Sequence, residues 1–372
     1  MVGYIVFLTI SAGLFALFCL GLNLQWGFTG LINFGHVGFL TIGAYATVLL
    51  SLQGVPLIIA VMIGSALAAL LGLLIGFSTL RLREDYLAIV TIGVSELLRL
   101  VALNEEWLTK GSFGVQGYPL PLANLQPNLF GKGIMILLLS LLTFFTARKL
   151  WLGLSKQWRE YKQIKDKSYQ PQKPVTVIIW GVVSTALVLL IYINGAIALY
   201  NYNYKAGLML LILAVLALAY WGLELLVNSP WGRVLKAIRE DEEIPKALGK
   251  NIFWYKLQAL MLGGAIAGVA GSFYAWQLTT VYPNNFEPLV TFNAWTIVVL
   301  GGAGSNAGTI FGAVIFWAYD SLTRFVLPQL GITDSTQSGA LRIMVIGLIL
   351  MILMMWRPQG ILGKKEELTL GR

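Results

Sequence analysis

The residues best equipped for chemistry in this chain lie in G-L-N-L-Q-W-G-F-T-G-L-I-N-F-G-H-V-G-F-L-T-I-G, residues 21–43. Asn23, Gln25, Thr29, Asn33 and His36 supply amides, a hydroxyl and the chain's single imidazole, set among glycines that favour a break in helix. Such groups recognise by hydrogen bonding. A lone histidine with no accompanying Cys or His cluster cannot hold a metal, so neither a metal nor haem is expected. Two readings stand: the stretch lines the path of a solute, or its amides cap helix ends in an interfacial loop. Glu96 and Arg99, three residues apart, have the spacing of a pair on one helical face, either structural or part of a gate. A third candidate is G-R-V-L-K-A-I-R-E-D-E-E-I-P-K-A-L-G, residues 232–249, where Arg233, Lys236 and Arg239 recur every three positions among Val234, Leu235 and Ile238. Its pattern predicts a short amphipathic helix, an acidic turn at 240–243, and a second short helix begun by Ile244 and Pro245 and closed by Gly249. Such an element lies on a membrane surface or docks into a soluble partner. The sequence has neither a G-x-x-x-x-G-K-[ST] phosphate loop nor a G-x-S-x-G elbow, which disfavours an enzyme or an ATP-binding chain.

The elements that must position these groups are apolar. Of 372 residues, 57% are hydrophobic and 12% charged, and the mean hydropathy is +0.76. A soluble domain carries about 25% charged residues and does not repeat twenty-residue apolar segments. The expected fold is an all-α polytopic integral membrane protein forming one domain over residues 1–372. Apolar segments fall at about 4–22, 31–51, 55–80, 86–103, 132–151, 175–193, 205–227, 257–278, 289–303, 306–327 and 340–356, which predicts about 10–11 transmembrane helices, the short ones broken or re-entrant. Glycines four apart, at 72 and 76, 264 and 268, and 304, 308 and 312, suit close helix packing. The run G-G-A-G-S-N-A-G, residues 301–308, predicts a broken helix or a tight turn. Cys19, the single cysteine, cannot form an intramolecular disulfide.

Loop charge sets the expected orientation. Residues 148–173 carry eight Lys or Arg against two acids, 228–256 six against four, and the tail 357–372 four against two, so all three should be cytoplasmic. This distribution accounts for the net charge of +9 without a nucleic-acid partner. The basic insertion at 148–174 reads as an amphipathic surface segment or a solvated loop. Residues 104–131 and 282–288 should be external, with Trp107, Phe113 and Tyr118 exposed in the first of them. Arg342 and Asp334 should mark the outer edge of the last span. No Lys or Arg precedes the first apolar run, so it reads as a span with its amino end outside and not as a cleavable signal peptide.

In combination, several stretches resemble a known family: W-G-F-T-G-L-I-N-F-G-H-V-G-F at 26–39, R-L-R-E-D-Y-L-A-I-V-T-I at 81–92, the charged run at 232–249 with K-L-Q-A-L-M-L-G-G-A-I-A-G-V-A-G-S-F-Y-A at 256–275, G-G-A-G-S-N-A-G-T-I-F-G-A at 301–313, and R-P-Q-G-I-L-G at 357–363. They resemble the LivM-type permease subunits of branched-chain or hydrophobic amino-acid ABC importers, over nearly the whole chain except about 152–174. The overall character is similar to cyanobacterial neutral amino-acid importers. The resemblance implies a chain that performs no chemistry and pairs with a LivH-like second permease. Its other implied partners are two separate ATP-binding cassette subunits that use the ATP and a periplasmic substrate-binding protein that delivers an amino acid. It also implies that the charged run is the cytoplasmic coupling segment, with Arg239, Glu240, Asp241, Ala247 and Gly249 at the matching positions and Arg233 opening it. Glu243 and Pro245 stand where small residues are frequent in the family, and Ser305 and Thr309 where Thr and Pro are. Two competing readings remain at this point, a urea or short-chain amide importer of the same architecture and an ion-coupled secondary carrier, although the latter would need more intramembrane acids.

Overall fold

A computed structural model describes residues 2–81, 84–163, 174–331, 334–357 and 359–363. Residues 164–173 of the expected basic insertion, 364–372 of the expected tail, and Leu82 and Arg83 of the R-L-R-E-D-Y stretch lie outside the described residues. The fold is helical: α1 Val2–Leu22, α2 Val37–Leu52, α3 Leu57–Thr79, α4 Glu84–Asn104, α5 Glu106–Thr109, α6 Leu129–Gln163, α7 Pro174–Tyr200, α8 Tyr204–Asn228, α9 Pro230–Glu240, α10 Glu243–Ala247, α11 Ile252–Leu278, α12 Leu289–Gly301, α13 Asn306–Gln329 and α14 Ser335–Trp356. Each of the eleven apolar segments is a helix. Among the described residues eight helices are long and apolar enough to cross a membrane, and Val37–Leu52 and Ser184–Tyr200 are shorter apolar ones. α12, with 13 residues, rises only about 20 Å against a hydrocarbon core of about 30 Å, and so cannot span alone.

The chain divides into two compact units, Met1–Ile10 with Leu122–Ala217, and Ser11–Pro121 with Leu218–Arg372. In the first, α6 and α7 pack together, with Ser140 Oγ and Tyr192 OH 3.0 Å apart, and Tyr202 donates to the Leu122 carbonyl at 2.8 Å. α6 remains helical through Gln163, so the start of the basic insertion is a helix and not a loop.

The second unit is built on α2, α3 and α11, joined through small residues. The buried face of α3 is Ala60, Gly64, Ala68, Gly72 and Gly76, one residue every four. Between α2 and α11, a Cβ on Gly43 or Gly271 would collide with the backbone of Gly268 or Leu40. Carbonyls and small side chains therefore meet directly, and two hydroxyl contacts fasten the seam: Thr47 Oγ1 to Ser272 Oγ at 2.7 Å, and Ser65 Oγ donating to the Ala265 carbonyl at 3.0 Å. α12 and α13 form a hairpin whose crossing is again Gly301 against Gly308. Gly302 and Gly304 take φ of 110° and 81°, a conformation that L side chains avoid, and the Gly308 N–H caps onto Ser305 Oγ at 3.1 Å. The Gly-rich run is thus a true interruption.

At the opposite end of this unit, β1 Val115–Gln116 pairs antiparallel with β2 Thr280–Val281. Tyr118 is a correction to the sequence reading: its ring is buried and its hydroxyl donates to the Ala275 carbonyl at 2.5 Å, with burial raising its pKa well above the usual phenol value. A tyrosine in a Gly/Pro loop is free to fold inward when α11 offers it a terminal carbonyl. Trp107 and Phe113 are exposed as expected.

Replacing Gly43 by Ala should force α2 and α11 apart and cost more than about 2 kcal/mol, read as a lower thermal transition and less monodisperse protein in detergent. Gly222→Ala, whose methyl meets nothing within 4 Å, should leave both unchanged.

Candidate functional site: the buried break and its docking helix

The five polar residues of the 21–43 stretch fall at an interruption between α1 and α2. α1 runs into a π-helical turn, Asn23–Gly27, and the chain then continues without regular structure until α2 begins after His36. The stretch is deeply buried: Asn23, Gln25, Asn33 and His36 are inaccessible and Thr29 nearly so. Non-helical backbone at such depth leaves donors and acceptors that must be met by protein or water.

Side chains from distant elements meet them in two groups. Asn23 Oδ1 accepts from the Gly304 N–H at 2.9 Å, and its Nδ2 donates to Asn306 Oδ1 at 3.2 Å. Asn306 Nδ2 then donates to Glu224 Oε1 on α8 at 3.1 Å. This chain of bonds joins the first break to the Gly-rich break between α12 and α13. The second group is centred on Asn33. Its Nδ2 donates to Gln25 Oε1 at 2.8 Å and its Oδ1 accepts the Gly35 N–H at 3.0 Å, while Gln25 Nε2 donates to the Leu260 carbonyl of α11 at 3.0 Å. His36 Nε2 lies 3.1 Å from the Phe18 carbonyl and its Nδ1 3.5 Å from Asn33 Nδ2, an arrangement that suits a neutral ring with the proton on Nε2. Thr29 Oγ1 donates to the Leu24 carbonyl at 3.0 Å. Backbone groups of the break are held from outside by Thr91 Oγ1 on Phe34 N, Thr291 Oγ1 on Val37 N, and Trp295 Nε1 on the Asn33 carbonyl. All five expected site residues therefore have protein partners, and in this conformation they hold a joint.

The charged run folds as its pattern predicts. Ser229 caps α9 with Pro230 in the first turn, Leu235 and Ile238 are buried, Asp241 Oδ1 accepts the Glu243 N–H at 2.9 Å, and Gly249 closes α10 with a φ of 73°. Two contacts tie it to the foot of α11: Trp231 Nε1 donates to Gln258 Oε1 at 2.7 Å, and the nearly buried Lys256 ammonium pairs with Glu242. A third contact joins it to the break. Arg239 NH1 donates to the Gly27 carbonyl at 2.5 Å, and Lys236 sits 5.7 Å from the centre of the Phe28 ring. The opposite surface is open: Arg233, Glu240, Asp241, Ala247 and Gly249 are exposed, and so are the apolar Ile244 and Leu248, at 59% and 74%. Of the residues singled out in this run, Arg239 and Lys236 reach the break and Glu242 of the acidic turn pairs with Lys256, while Lys256, Thr291, Trp295 and Asn306 join the site unforeseen. Lys256 carries the one legible signal, a cation in an otherwise apolar helix. Thr291, Trp295 and Asn306 gave none, because their partners in the break lie more than two hundred residues away.

Glu96 and Arg99 do pair, with Arg99 Nε and NH2 on the two carboxylate oxygens at 3.0 and 2.6 Å. Arg99 NH1 also donates to Asn284 Oδ1 at 3.0 Å, fixing the loop after β2 to α4. Asp334 caps the start of α14, its Oδ1 accepting the Thr336 N–H at 2.9 Å, and Arg342 donates to Asp320 of α13 at 3.1 Å.

Residues 4–354 match the family model described as branched-chain amino acid transport system / permease component. The chain belongs to that permease family. Escherichia coli LivM, a high-affinity branched-chain amino acid transport system permease protein, is 31% identical over 344 residues, 92% of this permease and 66% of LivM. The permease thus spans just under two thirds of that relative. A probable LivM of Methanocaldococcus jannaschii is 25% identical over 96% of this permease and 92% of its own length. E. coli LivH is 28% identical over 142 residues, 37% of the permease and 41% of LivH. No solved structure matches. These relatives are named as transport permease proteins, and the family match together with the apolar helices fits a multi-pass membrane protein.

Asn23→Leu leaves the Gly304 N–H without its acceptor and Asn306 Oδ1 without its donor in a buried site. It should cost about 1–3 kcal/mol in thermal unfolding, and Asn306→Leu in the same background should add less than it does alone.

Proposed function

We propose that this chain is one half of the membrane pathway of an ATP-driven importer of branched-chain and other neutral, hydrophobic amino acids. A LivH-like second permease supplies the other half. The likeness to both LivM and LivH relatives supports such a pair. Two ATP-binding cassette subunits consume the ATP, none of which binds this chain, and a solute-binding protein delivers the substrate on the other side. In this reading the protein is a multi-pass protein of a bacterial inner membrane, of the NatD type of cyanobacterial neutral amino-acid permease. Its amino end faces outside and its basic loops and carboxyl end face the cytoplasm, in keeping with loop charge.

The observation that carries the reading is the two-sided surface of α9 and α10. One side is bonded into the break through Arg239 and into α11 through Lys256 and Trp231, and the other presents Ile244 and Leu248 to a partner. An ATPase that grips the exposed side and moves on nucleotide binding pulls directly on the Gly27 carbonyl, and the bonds of Asn23 pass that displacement to the second break. The two access states then differ in energy according to the state of the ATPase.

Substitution separates the two sides. Ile244→Ser with Leu248→Ser should abolish co-purification of the ATPase subunits. Arg239→Ala should leave co-purification intact but lower uptake and substrate-stimulated ATPase at least about tenfold, about 1.4 kcal/mol of lost coupling. Uptake and stimulation unchanged by Arg239→Ala in an assembled complex would contradict the reading.

A further inference from the structure

Within the first unit, the loop before α6 and the turn between α7 and α8 enclose a polar groove of about 350 Å³. One wall is Gln126, Pro127 and Lys132, and the other is Tyr202, Asn203 and Tyr204. The Tyr202 hydroxyl bridges the two segments through the Leu122 carbonyl, and a Cβ on Gly207 of α8 would collide with that hydroxyl, so the bridge is packed from behind. The groove lies where the candidate spans Leu129–Gly153 and Tyr204–Asn228 begin. Tyr200, Tyr202 and Tyr204 gather at this turn, as aromatic residues do at a membrane surface. Its charge is one-sided. Lys132 is in the first turn of α6 and Lys205 in the first turn of α8, and neither turn holds an acid. Cations in these positions oppose the helix dipole, which favours negative charge there. Among the described residues neither ammonium is paired with a carboxylate: Lys132 lies 5.5 Å from the centre of the Tyr200 ring and Lys205 5.8 Å from that of Phe7. The first acid after Lys132 is Glu160, about 40 Å further along α6.

We propose that this groove binds the phosphate diester of an anionic membrane lipid. The Lys132 ammonium supplies the charge that the phosphate oxygens require. Gln126 supplies an amide from the same wall, and Asn203 a second from the other: its Oδ1 is taken by the Ala206 N–H at 2.8 Å, which leaves its Nδ2 to donate to the headgroup. Beyond Lys132, α6 exposes Leu137, Leu141 and Phe144, an apolar track for the acyl chains. A lysine that only snorkels past a helix end needs no walls around it. An acidic protein surface would match the charge, but a phosphate carrying acyl chains matches both the charge and the apolar track that leads away from it. The inference needs a chain that sits in a membrane and does not depend on the importer reading.

Native mass spectrometry of the purified full-length protein, titrated in detergent with phosphatidylglycerol and with phosphatidylcholine, provides the test. One phosphatidylglycerol should bind with a preference of about fivefold or more over phosphatidylcholine, the scale set by one lysine facing an anionic headgroup. Lys132→Gln should remove that preference and leave the lipid-free thermal transition unchanged, and Lys132→Arg, which keeps the charge, should retain it. Phosphatidylglycerol should raise the thermal transition of the unsubstituted chain, and inorganic phosphate at the same concentration should not. Equal binding of the two lipids, or a preference that survives Lys132→Gln, overturns the site. An equal rise with inorganic phosphate marks a site for a free anion and overturns the lipid assignment. Lys132→Gln that weakens docking of a solute-binding protein while lipid preference is unchanged marks a protein-docking surface and does the same.

Discussion

The rest of the structure depends on one hydrogen bond, from the Arg239 guanidinium to the Gly27 carbonyl. The carbonyl is available because the π-helical turn at Asn23–Gly27 ends helix α1 early and leaves backbone groups without partners on their own helix. The guanidinium is available because α9 is amphipathic and turns Leu235 and Ile238 inward beside it. A charged donor on a buried acceptor is among the stronger hydrogen bonds, worth about 1.5–3 kcal/mol, and little else on α9 reaches the break. The bond turns an irregular segment into a handle.

From that handle the connections run through short side chains in dense surroundings. Asn23 reaches Gly304 and Asn306, and Gln25 reaches α11, so both interruptions and the central helix are addressed from one stretch of chain. Close-packed interiors of this kind respond by discrete rearrangement and not by gradual bending. The glycine seams around α11 supply rigidity, while the left-handed glycines at 302 and 304 confine the irregular backbone to one place. A stiff bundle interrupted at two linked breaks is suited to passing a displacement at its surface into its interior.

Much of this was legible in the sequence, where the local pattern carried the information. Each apolar segment became a helix, and the two short helices and the acidic turn expected in 232–249 are present, although the first starts earlier, at Pro230 behind a Ser229 cap, and the second at Glu243, just ahead of Ile244. The i, i+3 spacing of Glu96 and Arg99 gave their pair directly. What the sequence concealed was partnership over distance. Polar residues at 21–36 were visible as a cluster, but their use as the fastenings of a joint depends on Thr91, Leu260, Thr291 and Asn306, which local patterns do not link to them. Tyr118 was concealed for the same reason, its acceptor being at the far end of α11.

The central claim is that α9 and the break move as one mechanical piece. A Cβ built at Gly30 lies 4.0 Å from the Arg239 Cβ, within the range that a disulfide spans. The decisive measurement is leucine-stimulated ATPase of the assembled complex carrying Gly30→Cys and Arg239→Cys, before and after oxidation. The account predicts low stimulation in the reduced form, where the guanidinium is gone, and recovery when the disulfide supplies the link. Stimulation that stays low after complete cross-linking, or that is already normal without it, would contradict the claim.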